Sequence, residues 1–273
     1  MTAEAAPSLP GPLVAPAWLR AHLDRVHVVD CQHVLGDPDG GRRAYLERHI
    51  AGAPHASLAH DLAGDDGPGR HPLPDAATFT ATARRLGIRN DTPVVAYDQA
   101  MTGGAARLWW LLRHAGKDDV AVLAGGLEAW DGPVAGGEAT VPPGDLVVRP
   151  RSEDLVDADD VAAHLDEQGR VLVDARAPER FRGEVEPLDP VAGHIPGARN
   201  VPYTAPLPDE LADTDAEVVA YCGSGVTACV VLLHLAARGR DDAKLYPGSW
   251  SDWSAGERPV ATGPEGDEHV EGR

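Results

Sequence analysis

The chain has 273 residues, 43% of them hydrophobic, enough for two compact domains with a core in each. Its 24 basic and 43 acidic residues leave a formal charge of −19, which argues against nucleic acid or an anionic membrane surface as partner and requires a local cationic patch wherever an anion binds. No apolar run reaches the ~20 residues that span a bilayer, and Met1 to Pro16 lacks a basic stretch followed by an apolar one, so no secretory signal is expected and the cytoplasm is the expected location.

Along the chain, the apolar run from Val26 ends at Asp30 and is followed by Cys31, which reads as a small core residue. His49-Ile50-Ala51-Gly52-Ala53 predicts a tight turn with a structural histidine. Val94 to Tyr97 predicts a buried strand, and Ala105 to His114 a helix that ends near Gly116. Gly132 to Pro150 is rich in Gly and Pro, lacks a helical period and reads as a linker. Leu172-Val173-Asp174 then repeats Val28-Val29-Asp30, His194-Ile195-Pro196-Gly197-Ala198 repeats the first turn, and Val218 to Tyr221 repeats Val94 to Tyr97 residue for residue. Val226 to Arg238 predicts a helix with Gly239 as its stop. Gly248-Ser249-Trp250 echoes Gly125-Gly126-Leu127, and from Gly256 onward the chain reads as a loose polar tail.

Ordered recurrence of these landmarks means two copies of one domain. The expected organisation is a domain at 7–131, a linker at 132–150, a second domain at 151–260 and an acidic tail at 261–273. Strand–loop–helix units predict the α/β class, with a parallel sheet covered by helices on both faces in each copy. Asp30 and Asp174 end equivalent strands and are expected to cap nearby backbone. Trp109, Trp110, Trp130, Trp250 and Trp253 are expected to pack in cores or interfaces.

Three cysteines without a signal argue against a disulfide framework. Cys229 lies in an apolar helical run and reads as core. Cys222 leaves the carboxyl end of a strand, Gly223 and Gly225 follow, and a helix begins after Val226 and Thr227. Glycines let successive N–H groups fold toward one point, and the helix start adds partial positive charge. A thiolate, or the anionic outer sulfur of a persulfide, is favoured there. The equivalent position in the first copy is Asp98, so only the second copy is expected to be catalytic.

The tandem arrangement, the His-Ile-Pro-Gly-Ala turn and the loop Cys222-Gly223-Ser224-Gly225-Val226-Thr227-Ala228 resemble the rhodanese-like sulfurtransferases from about Leu13 to about Pro259. Within that family the loop is similar to those of 3-mercaptopyruvate sulfurtransferases, whereas thiosulfate-using members carry cations after the cysteine. The resemblance implies transfer of a sulfane sulfur from 3-mercaptopyruvate, or alternatively thiosulfate, to cyanide, a small thiol or a protein thiol. It also implies that transfer proceeds through a Cys222 persulfide held by the amides of Gly223 to Thr227, without metal or organic cofactor. It further implies that Arg180 binds the donor carboxylate, for which a guanidinium fork suits, or else pairs with an acid such as Glu184. It implies that Ser224 and His71, the latter supplied by the first domain, act beside the cysteine, with Asp61, Asp65 or Asp66 as the supporting acid. Leu188 stands where the family's second arginine would fall. A phosphatase would need Arg at the sixth residue after the cysteine, which here is Ala228. A pure binding or sulfur-relay module is disfavoured because the cysteine is retained.

Overall fold

A computed structural model describes residues 6–165, 169–265 and 269–271 and divides the chain into two compact units. The first unit takes the chain up to Gly64 and from Pro74 to Arg151; the second combines Asp65–Leu73 with the chain from Ser152 onward. The segment that carries His71 is thus grouped with the second unit, although its sequence position lies in the first copy.

The strands of the first unit are β1 (Leu13–Val14), β2 (His27–Asp30), β3 (His49–Ile50), β4 (Val94–Tyr97), β5 (Val120–Leu123) and β6 (Val134–Ala135). Its helices are α1 (Pro16–His22), α2 (Gly40–Glu47), α3 (Ala76–Arg85) and α4 (Gly104–His114). The main sheet is parallel in the order β1-β5-β4-β2. The apolar run of β4 is buried at every position, as a central parallel strand covered on both faces must be. Val28, Val95, Tyr97, Ala121 and Leu123 of this sheet join Leu19, Leu127 and Trp130 in the core. The stretch 132–150 is not a free tether. β6 pairs antiparallel with β3, Gly137 N–H donates to the Leu46 carbonyl at 2.8 Å and Arg149 N–H to that of Ala115 at 2.8 Å. Gly144 is there because a Cβ would lie 1.9 Å from the Ile88 carbonyl oxygen, so glycine marks close approach rather than freedom.

In the second unit the strands are β7 (Arg170–Asp174), β8 (Arg199–Asn200), β9 (Glu217–Tyr221), β10 (Lys244–Leu245), β11 (Val260–Thr262) and β12 (His269–Glu271). The helices are α5 (Ala158–Ala163), α6 (Pro178–Phe181), α7 (Asp209–Asp213), α8 (Ala228–Ala237) and α9 (Ser249–Trp253). The sheet is again parallel, in the order β10-β9-β7-β8, with β9 in the role of β4. Helix α8 is apolar on nearly every side, as a helix buried all round has to be, and Gly239 leaves it at φ 86°.

The two copies share small devices as well as topology. Tyr97, at the end of β4, accepts the Ile50 N–H on its hydroxyl at 2.8 Å, and Tyr221 at the end of β9 accepts that of Ile195 at 3.1 Å. His49 donates from Nδ1 to the Tyr45 carbonyl at 2.9 Å and His194 to that of Phe181 at 2.7 Å, each ring stacking on the aromatic it serves. Asp30 and Asp174 are fully buried and accept the N–H two residues on, from Gln32 at 3.0 Å and Arg176 at 2.9 Å.

The expected loose tail starts inside the fold. Ala261 is fully buried and exchanges backbone hydrogen bonds with His194 at 2.8 and 2.9 Å, and β11 pairs antiparallel with β12. The apolar pair Val260-Ala261 covers the turn at His194, which a reading of the tail as polar overlooked. Residues 266–268 and 272–273 of that tail lie outside the described residues. No helix among the described residues is long and apolar enough to cross a membrane.

Candidate active site

The loops after β4 and β9 are equally long. Cys222 stands where Asp98 stands, and Ala228 opens α8 as Gly104 opens α4. In the first unit the Asp98 carboxylate, 1% exposed, accepts the N–H groups of Thr102 at 3.0 Å, Gly103 at 3.0 Å and Ala105 at 3.2 Å. An anion is thus held by converging amides at a helix start. Both loops turn through the left-handed region at the same place, Met101 at φ 61° and Gly225 at φ 75°. Glycine at 225 is required by space as well, since a Cβ would lie 2.5 Å from the Pro247 carbonyl oxygen. The loops are not identical: the Cys229 N–H bonds the Val226 carbonyl at 3.1 Å, whereas its counterpart on Ala105 serves Asp98.

Cys222 is 2% exposed, and its backbone is pinned on both sides. Its carbonyl accepts the Trp250 N–H at 3.0 Å, and the Gly223 carbonyl that of Ser251 at 3.0 Å. Its own N–H donates to Ser249 Oγ at 3.1 Å, and that hydroxyl donates to the Tyr246 carbonyl at 2.9 Å. Ser249 is fully buried at φ 54°, a conformation that disfavours any residue but glycine. Its counterpart Gly126 sits at φ 60° beneath the Asp98 carbonyl. Sequence reasoning passed over Ser249; the available signal was a serine in the second copy where the first has glycine.

Ser224, 7% exposed, places its Oγ 2.8 Å from His71 Nδ1, a separation at which a neutral ring accepts the hydroxyl proton. Val226 is buried at the start of the turn into α8, and Thr227 is its half-buried N-cap. Of the three candidate supporting acids, Asp61 accepts the Ser57 N–H at 2.8 Å and pairs with Arg85 at 2.5 Å, so it is committed within the first unit. Asp65 and Asp66 are exposed.

Arg180 does not pair with Glu184, which binds Arg182 at 2.7 Å. It forks instead onto Glu186, Nε to Oε2 at 3.2 Å and Nη2 to Oε1 at 2.6 Å, and its Nη2 lies 3.5 Å from Asp189 Oδ2. Arg70 Nη1 binds the other oxygen of Asp189. Arg176, buried over the Trp250 ring, holds Asp174 at 2.6 Å and reaches Glu186 at 3.4 Å. Burial disfavours the charge on Arg176, but Asp174 outweighs it and raises the pKa. Burial likewise opposes ionisation of Glu186, yet Arg180 and the N–H groups of Leu188 and Asp189 hold its pKa below the usual value. Both free ends of this network meet the loop: a Cβ on Gly223 would lie 3.0 Å from Arg70 Nη2 and 3.4 Å from Arg180 Nη1. Leu188, where a second arginine was sought, is 43% exposed. Arg70, Glu186 and Asp189 were missed because their roles depend on pairings across intervening chain.

The remaining cysteines behave as core. Cys31 is fully buried, and burial first, then Asp30 and Asp98, pushes its thiol pKa up. Cys229 is fully buried with Sγ 3.4 Å from the Gly225 carbonyl oxygen. Among the described residues no cluster of His, Cys, Asp and Glu could hold a metal ion.

The Rhodanese-like domain family matches this chain twice, at residues 15–132 and 157–256. A probable 3-mercaptopyruvate sulfurtransferase of Pseudomonas aeruginosa is 45% identical across 86% of this chain and 92% of its own. A putative thiosulfate sulfurtransferase of Mycobacterium tuberculosis is 43% identical across 88% of this chain and 92% of its own. Among solved structures, SseA from Escherichia coli, described as a 3-mercaptopyruvate sulfotransferase, aligns with a TM-score of 0.77 at 33% identity, covering 88% of this chain and 99% of that one.

Proposed function

The chain belongs to the rhodanese-like family and is a sulfurtransferase, and from that premise we propose that Cys222 carries the sulfur, taken from 3-mercaptopyruvate. The thiolate attacks the donor's sulfur. A sulfur–sulfur bond forms, the carbon–sulfur bond breaks, and its electron pair stays on carbon as the enolate of pyruvate, which is then protonated. The acceptor, cyanide or a thiol, attacks the outer sulfur of the persulfide and returns the Cys222 thiolate. Amides from Gly223 to Thr227 stabilise the anionic sulfur at both stages. Ser224 and His71 form the proton-handling pair beside it, and Arg180 holds the donor carboxylate.

One observation carries this reading: the equivalent loop of the first unit gathers three N–H groups onto the Asp98 carboxylate. Replacing a fixed carboxylate by a thiol in a loop of equal length leaves an anion site whose occupant can be the cysteine's own sulfur. The same contrast supports a catalytically inactive first domain, because Asp98 offers no nucleophilic sulfur. Three cysteines kept as thiols would fit a reducing cytoplasm. The alternative donor, thiosulfate, draws support from the naming of the M. tuberculosis relative, whereas the loop of Gly, Ser and Gly after Cys222 favours mercaptopyruvate.

The test compares kcat/KM for mercaptopyruvate and thiosulfate with cyanide as acceptor, in wild type and in Cys222→Ser. Mercaptopyruvate should be preferred and the variant should be inactive. Transfer surviving in the variant would refute the nucleophile, and a preference for thiosulfate would reverse the donor.

A further inference from the structure

We infer that Ser251 is a positioning residue for sulfur transfer: its hydroxyl clasps the strap that carries His71, Asp65–Leu73, to the loop that carries Cys222. The inference rests on the reading of Ser224 and His71 as the proton-handling pair. Helix α9 meets the cysteine loop with three consecutive residues. Ser249 Oγ accepts the Cys222 N–H at 3.1 Å, the Trp250 N–H donates to the Cys222 carbonyl at 3.0 Å, and the Ser251 N–H donates to the Gly223 carbonyl at 3.0 Å. Ser251 then reaches in a second direction. Its Oγ accepts the Arg70 N–H at 3.0 Å and donates to the Gly248 carbonyl at 3.1 Å. A single half-buried serine is thereby bonded to the residue before Ser224 and to the residue before His71. One residue further along both segments, His71 Nδ1 and Ser224 Oγ stand 2.8 Å apart.

The first copy supplies a control. There Glu128 occupies the place of Ser251, and its N–H donates to the Gln99 carbonyl at 3.0 Å, as that of Ser251 does to the Gly223 carbonyl. The backbone bond is therefore common to both units and belongs to the fold. The side chain is not common to them: Glu128 is exposed, in the unit whose loop carries Asp98 in place of the cysteine. The hydroxyl that holds the strap goes with the thiol.

The strap lies directly on the start of α9. A Cβ on Gly69, at φ 80°, would come 2.5 Å from the Gly248 carbonyl oxygen and 2.9 Å from Ser251 Oγ, so the bond at Arg70 needs glycine beside it. A bond to a backbone N–H fixes the path of the chain. The Arg70 guanidinium has a separate anchor in Asp189. Loss of the Ser251 hydroxyl therefore leaves the cation attached and lets the strap backbone shift, and the reacting group that registers the shift is the imidazole of the next residue. Proton transfer needs heavy atoms about 2.6–3.2 Å apart, so a shift of about 0.5 Å away from the 2.8 Å contact takes the pair out of that range.

The experiment uses the full chain and steady-state kinetics with mercaptopyruvate and cyanide, in Ser251→Ala, Ser251→Thr, His71→Ala and the combination of the two alanines. Ser251→Ala should lower kcat about tenfold with KM changed less than about threefold, the pattern of a displaced proton-handling group behind an intact binding contact. Ser251→Thr, which keeps the hydroxyl, should restore kcat to within about threefold of wild type. In the His71→Ala background the Ser251→Ala change should cost less than about twofold, because the group it positions is gone. A loss of equal size with and without His71, a loss that threonine does not restore, a rise in KM with kcat unchanged, or wild-type kinetics in Ser251→Ala would each overturn the inference while the assignment of Cys222 stood. His71→Ala that transfers sulfur at the wild-type rate would instead bring down the proton-handling pair, and the role of Ser251 with it.

Discussion

Ser249 offers the most direct probe of how the nucleophile is held, because strain and hydrogen bonding pull in opposite directions there. Its hydroxyl pairs the Cys222 N–H at 3.1 Å and the Tyr246 carbonyl at 2.9 Å in a fully buried position. Ser249→Ala leaves both groups unpaired, at about 1–3 kcal/mol each, so a loss of roughly 2–6 kcal/mol is expected. Ser249→Gly makes the same two vacancies but relieves a side chain held at φ 54°, a relief of about 1 kcal/mol. At roughly 3–5 °C per kcal/mol for a unit of this size, alanine should lower the Tm of the second unit by roughly 10 °C or more and glycine by a few degrees less. Calorimetry on both variants, with the iodoacetamide rate of Cys222 recorded in parallel, reads stability and thiol placement separately. Two variants that melt with wild type would show that the hydroxyl does not hold the cysteine backbone, and an alanine variant that melts at or above the glycine variant would show that φ 54° stores no strain.

Asp98→Ala should destabilise the first unit by roughly 3–5 kcal/mol, since two buried N–H groups and a half-buried one lose an anionic acceptor. Asp98→Asn should cost less and leave the sulfur transfer of the folded protein unchanged; calorimetry and the cyanide assay check the two halves of that statement. Glu186 has a folded pKa held below the 4.5 of a free glutamate, so the stability it contributes is complete above that value and is lost as the pH falls through the lowered one. Glu186→Gln should therefore weaken the protein by about 2 kcal/mol or more at neutral pH and flatten the acid limb of its stability curve. Denaturant midpoints taken from about pH 7 down to about pH 3.5 measure both effects, and parallel acid limbs would remove Glu186 from the network.

The duplication was legible because it repeats local patterns that physics ties to local structure. Val-Val-Ala-Tyr reads as a strand buried on both faces, and the cysteine loop, unlike its twin throughout, has the thiol of Cys222 where the twin has Asp98. His71 and Ser224 were readable from family likeness, and they stand 2.8 Å apart. What could not be read was anything decided by pairing between distant side chains. Arg180 was assigned a possible partner in Glu184, the nearest acid beyond the turn, yet the short helix α6 directs it to Glu186 and Asp189. The stretch 132–150 was read as a linker from its glycines and prolines; what that reading did not foresee is that Gly144 is selected by contact with the backbone at Ile88.

The charge of the chain posed a question that its sum could not answer. A protein of net charge −19 must attract a small anion to one place, yet Arg70, Arg176 and Arg180 are matched there by Asp174, Glu186 and Asp189, so the cluster is neutral. If Arg180 holds the donor as proposed, net charge is not what favours it. The acids sit behind the guanidiniums and the unspent nitrogens sit in front, so the cluster presents donors to the loop and buries its carboxylates, with Glu186 and Asp189 side chains only 3% and 4% exposed. At physiological salt, fields fade over about 8 Å, which weakens the repulsion from the distant acidic surface far more than the attraction of N–H groups in contact. An acidic chain can thus bind an anion without a basic patch. The cation count of a sequence says less about such a site than the direction in which a few paired arginines are made to point.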